Sequence, residues 1–530
     1  MKRIQVLDCT LRDGGYCNQW KFGFVNTKKI VESLTNAGID IIECGFLTNK
    51  VEYKQGITKF TTMEEVKEIL PLDRAGKTFV CLMNYGEYKL EDIPFYDGTS
   101  LDGIRVAFHK KDIKDALKLC KGIKEKGYKV FVQAMVSLNY SDEEFLELIA
   151  AVNHIGPYAF YIVDSFGVMK GKDLTRLFYN VEHKLNDHII IGYHSHNNMQ
   201  LAYSNAQSLV GIQTKRELII DSSVFGMGRG AGNLNTELFV EYLNDVEEES
   251  HYKLKPLLII IDEILNKFYQ ENYWGYSLPN YLSASYNAHP NYAGYLNDKQ
   301  TLTVEDMNNI FSIMNEDKKA NFDKEYIDSL YLHYMANGIA YEEHQEELKK
   351  KLIGKKVLII APGKSSELEK EKIIRYATQK DVVSIGINFD YEHFETDYIF
   401  LSNLRRYRSL DKTKRYKCIV TSNIPAEGVY LQTKYADLLN DVEMVKDNAG
   451  MMLIKYLISL GVKQILLAGM DGYSHELEEN YVNEQLAFVT KKEILDAMNE
   501  GMRKMIMKYS KDTDLIFVTQ QKSIYLNQDN

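Results

Sequence analysis

Eight short apolar runs, interleaved with amphipathic stretches over the first 245 residues or so, constrain this chain more than any other feature. The strand-like runs are IQVLD (4–8), DIIECGF (40–46), TFVCLM (78–83), GIRVAF (103–108), KVFVQAM (129–135), FYIVD (160–164), HIIIGYH (188–194) and LIIDSSV (218–224). Between them lie segments such as DIKDALKLCKGIKEKG (112–127), whose apolar residues recur at helical spacing. Eight βα units in this length match the size and count of a (β/α)8 TIM barrel. An open doubly wound sheet is the structural alternative, because the alternation does not encode strand order.

At 530 residues the chain is too long for one core. Residues 250–350 lose the alternation and read as helical, with a Tyr/Asn/Pro-rich insert, SLPNYLSASYNAHPNYAGYL (277–296), suited to lie across a barrel mouth as a lid. The charged run EEHQEELKKK (342–351) reads as a helix face leading into a linker. A second α/β domain opens at KKVLIIAPGKSS (355–366), with further strands expected at 381–388, 398–402, 418–422, 464–471 and 515–519. The expected organisation is therefore a TIM-barrel catalytic domain at 1–248, a helical lid or linker at 249–352, and a Rossmann-like α/β domain at 353–530.

Charge and cysteine content narrow the setting. Net charge is −10 with no Lys/Arg tract, which argues against a nucleic-acid partner. The six cysteines form no CxxC pair and read as reduced thiols. The opening MKRIQVLDC lacks the apolar stretch of a signal peptide, and runs such as LLIII (257–261) are too short for a bilayer span. A cytoplasmic location is the expectation.

Two strings carry the barrel's chemistry. LDCTLRDGG (7–15) follows the first strand, and GYHSHNN (192–198) ends the seventh. Residues i and i+2 of a strand point to the same side, so His194 and His196 can face one point. With Asp13 they offer two nitrogens and one oxygen, a set suited to Mn, Mg, Zn, Co or Fe(II) with positions left open. A pair of packing histidines is the plain alternative, and a nonheme iron oxygenase uses the same ligand types. Position favours catalysis: Arg12 and Asp13 follow strand one, Glu43 ends strand two, and GMGRGAGN (226–233) follows strand eight. All fall at the carboxyl-terminal rim, where barrel active sites lie. GMGRGAGNLNTE (226–237) reads as an anion pocket at a helix N-terminus or as a tight turn that lets backbone approach the site.

DCTLRDGG, HxHN and GxGxGAGN, with IRVAFH (104–109) and VDSFG (163–167) matching in character, resemble the metal-dependent pyruvate aldolase and HMG-CoA lyase-like (DRE-TIM) superfamily. Members of that superfamily include the 4-hydroxy-2-oxovalerate aldolases and acyl-CoA-dependent synthases. The resemblance covers roughly residues 1–250. It implies that Asp13, His194 and His196 bind a divalent metal, with Asn233 close by. It also implies that Arg12 holds the oxygen that becomes an enolate, and that Glu43 bonds Arg12. The histidine base that such aldolases place after TLRDG is absent; here the string runs DGGYCNQW, with Tyr16 near that point. Tyr16, His109, His289 and Tyr292 are candidates for proton transfer, each with a packing role as the alternative.

In the C-terminal region, LIIAPGKSS places a glycine loop between strand and helix, where backbone N–H groups can cradle a phosphate. NAGMMLIKYLISLGVKQILLAGMDGYS (448–474) is similar in style to bacterial sialyltransferases and to pterin-diphosphokinase-like nucleotide-binding domains. That likeness implies contacts from Gly363, Lys364, Ser365, Asn388 and Asp471. A purely architectural domain is the alternative. The expected function is a metal-dependent aldolase that cleaves or forms a C–C bond next to a 2-oxo acid such as pyruvate. Its other partners would be an aldehyde and a nucleotide or nucleotide-sugar. A Claisen-type acyl-CoA synthase and a non-catalytic nucleotide-binding assembly protein are the rivals, and a homo-oligomer is expected from the resemblance.

Overall fold

The computed structural model describes residues 4–247, 251–299, 301–336, 338, 340, 344–483, 486, 490 and 492–520. The chain divides into two compact units, one made of residues up to 294 together with 315–322, the other of 295–314 together with the chain from 323 onward.

The first unit holds β1 (Ile4–Asp8), β2 (Ile41–Leu47), β3 (Thr78–Asn84), β4 (Gly103–Phe108), β5 (Lys129–Ala134), β6 (Ala159–Asp164), β7 (Ile190–Ser195) and β8 (Leu218–Ser222). Each pairs in parallel with its neighbour. The ring closes because β1 pairs with both β2, Leu7 opposite Ile41, and β8, Ile4 opposite Leu218. This is the (β/α)8 barrel, and the open-sheet alternative falls. A two-residue strand, Lys59–Phe60, adds to β2 outside the ring.

Period-2 alternation divides each strand between two cores. Phe131, Tyr161, Val163 and Ile219 fill the barrel interior, whereas Phe160 and Ile162 face the helical layer beside Leu148 and Phe178. Each such side chain, fully buried, contributes about 1.5–3 kcal/mol. The crossover helices carry their own stop signals. Asp142–Ile155, for instance, starts with a reciprocal Ser141/Glu144 capping box and ends at Gly156 in the left-handed conformation.

The helical stretch after the barrel is not a third body. Leu254–Ile260, Asn266–Glu271 and Leu278–Ser285 belong with the barrel, and the Trp274 indole N–H donates to Phe225 O at 2.9 Å. Residues 315–322 are tied in by Tyr292, whose hydroxyl lies 2.8 Å from Lys318 O and 2.6 Å from Asn321 O. By contrast, Val304–Ser312, Lys324–Ala336 and Gln345–Leu352 serve the second unit. The charged run at 342–351 begins outside the described residues; its described part is the last of these helices.

The second unit is a wholly parallel sheet of β9 (Lys356–Ile360), β10 (Val382–Ile387), β11 (Tyr398–Leu401), β12 (Cys418–Thr421), β13 (Leu431–Thr433), β14 (Gln464–Ala468) and β15 (Asp514–Phe517). The order is β13-β12-β11-β10-β9-β14-β15. The chain winds outward from β9 to β13, then returns to β14 on the other side of β9, which creates a topological switch point. Among the described residues no helix is long and apolar enough to cross a membrane.

Candidate active site

β1 ends at Asp8 and the chain turns at once: the N–H groups of Arg12 and Asp13 both donate to Cys9 O, at 3.1 and 2.8 Å. That turn brings the two adjacent side chains into contact, Arg12 Nη1 lying 2.5 Å from Asp13 Oδ1. β7 supplies His194, and His196 follows its last residue, the two rings 5.2 Å apart and nearly perpendicular. Ligand-type atoms of Asp13, His194 and His196 all lie within 4.8 Å of one another, and all three residues are buried. Asn233 donates through Nδ2 to Asp13 Oδ2 at 2.6 Å, and its backbone bridges to His196. Gly228 makes that approach feasible, since a Cβ there would sit 2.3 Å from Asn233 Nδ2 and 2.9 Å from Asp13 Oδ2.

A buried chain of charges stands behind these groups. Glu43 accepts from Arg12 Nε at 2.8 Å and faces Arg105 Nη1 at 2.8 Å. Arg105 in turn pairs with Asp221, and Asp221 lies 2.9 Å from His194 Nδ1. A carboxylate behind the ring at Nδ1 is the partner that metal-ligating histidines commonly have, with Nε2 left for the ion. Arg105 and Asp221 went unnoticed in the sequence. Their signal was a lone charge within an otherwise apolar strand, in GIRVAF and LIIDSS.

Electrostatics reinforce the arrangement. Burial drives the Asp13 carboxyl upward, but Arg12, His196, His194 and Arg229 together outweigh it and hold it well below the usual carboxylate range. Burial likewise raises Asp221, and Arg105 with His194 overcomes it, so that carboxyl is lowered too. His196 is pushed down to about 3 by burial, against the pull of Asp13. The site thus presents ionised carboxylates and, at His196, a neutral imidazole. His196 Nδ1, Asn233 Oδ1 and Arg12 Nη2 are buried without hydrogen-bond partners. Each such orphan costs about 1–3 kcal/mol, and their convergence on one N/N/O donor set fits a divalent cation and an oxygen-bearing ligand.

The proton-transfer candidates separate. Tyr16 packs edge-on against Trp20 at 4.8 Å, its ring faced by the Arg229 guanidinium at 5.4 Å. His289 arrives from the helical stretch and sets Nε2 3.2 Å from Arg229 Nη1, beside the Phe166 ring. Burial, then Arg229 and His109, push His289 down to about 3. His109, half-buried just beyond β4, is also lowered by burial. Tyr292 is not brought to this group: it is fully buried, and its hydroxyl is engaged by main-chain carbonyls. Arg229, hidden in the glycine-rich string, is a third residue that the sequence pattern does not single out.

In the second unit a cavity of about 430 Å³ lies over the carboxyl ends of β9, β10, β11 and β14. Gly363, Asn388 and Asp471 line it, together with Arg406, Tyr473 and Met502. Asn388 holds a left-handed φ of 60°, and its Oδ1 is buried without a partner. Ser365 instead braces Asp471, its N–H donating to Oδ2 at 2.7 Å, and Lys364 precedes the four-residue helix Ser365–Leu368 without lining the space. The expected phosphate cradle requires correction. Gly363 N–H donates to Gly469 O, Ser365 N–H to Asp471 and Ser366 N–H to Gly363 O, so these donors are already engaged.

Residues 3–264 match the HMGL-like family model. The barrel half is similar to a 4-hydroxy-2-oxovalerate aldolase from Geobacillus genomosp. 3, 28% identical over 267 residues, which is 50% of this chain and 77% of the relative. A 4-hydroxy-2-oxovalerate aldolase from Pelotomaculum thermopropionicum is 27% identical over 271 residues, 50% of this chain and 78% of the relative. The solved N-terminal domain of a candidate aldolase from Bacteroides vulgatus is 27% identical with a TM-score of 0.48, covering 57% of this chain and 98% of that one.

Proposed function

We propose, from the premise that the N-terminal barrel is a member of the HMGL-like (DRE-TIM) superfamily, that this protein is a divalent-metal-dependent aldolase acting on the C–C bond beside a 2-oxo acid such as pyruvate. One observation carries the reading: Asp13, His194 and His196 converge at the barrel rim with the Arg12 guanidinium fixed beside them. When bound there, a divalent cation (Mn, Mg, Zn or Co) supplies Lewis-acid stabilisation of negative charge on substrate oxygen.

The chain's own groups do the rest. Arg12 is clamped by Glu43 and Asp13, and its unpaired Nη2 is available to donate to the oxygen that becomes the enolate. In the cleavage direction the substrate hydroxyl loses its proton and the C–C bonding pair passes to the 2-oxo acid fragment. The aldehyde departs, and a proton returns to carbon. Glu43 and Asp221, through Arg105, keep Arg12 and His194 in orientation without movement during reaction. Burial of Arg12 and the histidines excludes bulk water from the developing charge.

For the second unit, the proposed ligand is a nucleotide or nucleotide-sugar. Support comes from a cavity at the switch point of a parallel sheet, the usual ligand position in such folds. Because the N–H groups of Gly363 and Ser365 are engaged, phosphate recognition falls to Arg406 and to the first turn of helix Ala449–Ser459, both at the cavity wall. Self-association and cytoplasmic residence complete the proposal.

The deciding experiment incubates the purified protein with pyruvate in D₂O, with and without Mn²⁺, and follows methyl-proton loss by NMR after chelator quench. Metal-dependent exchange that disappears in His194→Ala is the expected result. Metal bound at the site with no exchange would shift the reading to the acyl-CoA condensation.

A further inference from the structure

Arg229 is a guanidinium at the barrel mouth that no carboxylate pairs with among the described residues, whereas Arg12 and Arg105 each hold two. One terminal nitrogen donates to Ser165 O at 3.1 Å and the other meets His289 Nε2 at 3.2 Å. Its Nε is buried with no partner at all. The guanidinium face is fixed over the Tyr16 ring, 5.4 Å from the centroid, so the group is held in place rather than trailing into solvent. It follows Gly228, whose backbone abuts Asn233 and Asp13, and its charge is felt at both Asp13 and His196.

The charges gathered at the site make this cation informative. Asp13, Glu43 and Asp221 pair with Arg12 and Arg105 and leave one negative charge over, and Arg229 stands outside these pairs. A divalent cation would turn that into one positive charge, which the carboxylate of a 2-oxo acid answers. Arg229 is then a partly desolvated cation without an anionic partner, and such a charge is costly. We infer that Arg229 receives a second anionic group of the substrate, a carboxylate or phosphate carried on the fragment that leaves or arrives as the aldehyde. His289 and Ser165 are positioning residues that present the guanidinium. The substrate class is then a dianionic 4-hydroxy-2-oxo acid, and the acceptor an acidic aldehyde. This rests on the aldolase reading of the same barrel and narrows it.

The test pairs aldehydes of matched length in the condensation direction: succinic semialdehyde against butanal, and glyceraldehyde 3-phosphate against glyceraldehyde, each with pyruvate and Mn²⁺. Wild type should favour the anionic member by at least about tenfold in kcat/KM, and the better pair distinguishes carboxylate from phosphate. Arg229→Met should bring that ratio towards one and Arg229→Lys should keep part of it. Equal use of charged and neutral aldehydes by wild type, or a loss in Arg229→Met that falls alike on both, overturns the inference. If wild type shows no pyruvate exchange, the aldolase reading fails on its own account. Calorimetric titration with succinate and succinamide then decides the anion site: a succinate preference that Arg229→Met abolishes supports it, and equal or absent binding overturns it.

Discussion

The two units place their polar groups in opposite ways. In the barrel, charged side chains from the turn after β1 and from β2, β4, β7 and β8 meet in a buried network, and His196 Nδ1, Asn233 Oδ1 and Arg12 Nη2 are among its atoms without hydrogen-bond partners. In the second unit the main-chain donors of Gly363 and Ser365 are taken by Gly469 O and the carboxylate of Asp471, and the open feature is a cavity of about 430 Å³. The first arrangement suits the proposed reaction centre, where the cost in buried charge is offset by fixing groups that must not move. The second suits the proposed receptacle, which would select by shape and by a few polar contacts. Fold alone does not predict this difference, because both sites sit at the carboxyl ends of parallel strands.

Perturbing the shared charges should separate the two most sharply. Arg105→Met removes the guanidinium that Glu43 and Asp221 share, leaving them only Arg12 and His194 as partners, and should cost about 3–5 kcal/mol of stability. Thermal unfolding followed by fluorescence reads this as a first transition moved to lower temperature with the second unit's transition in place. Equal destabilisation of both transitions would mean that the units do not melt separately. Asp221→Asn is milder. It keeps the volume but removes the carboxylate that faces His194 Nδ1, and metal affinity measured by competition with a fluorescent chelator should fall about 10–100-fold. Unchanged affinity would show that the network behind His194 serves packing alone. Smallest is the expected effect in the receptacle: Arg406→Ala should weaken CMP or UDP binding about tenfold by calorimetry and leave pyruvate exchange untouched. Wild-type protein that binds neither nucleotide would reduce the cavity to an architectural feature.

Much of this was legible in the sequence, for identifiable reasons. The eight barrel strands were readable because a strand buried on both faces needs an unbroken apolar run, and each run falls within a residue or two of the observed strand. The HxH spacing carries its geometry in the period of a strand. β13, Leu431–Thr433, was missed because three residues, one of them Gln432, make no run. Arg105 and Asp221 were visible as lone charges in β4 and β8, but pairing across a barrel is a fact of closure that no local pattern holds. The sharing of the helical stretch was likewise illegible: amphipathic spacing shows that a helix has a buried face and not which core that face meets.

That sharing has a consequence for how the molecule is made. The barrel's unit takes residues up to 294 and then 315–322, while the intervening 295–314 belong to the other unit. During synthesis the last piece of the first unit leaves the ribosome only after the opening piece of the second. The barrel's strands are complete by residue 222, yet their unit waits for about a hundred more residues before its contacts can close. No single cleavage separates the two. Any shortened version ending near residue 294 lacks the 318–321 carbonyls that hold Tyr292, the residue three positions after His289.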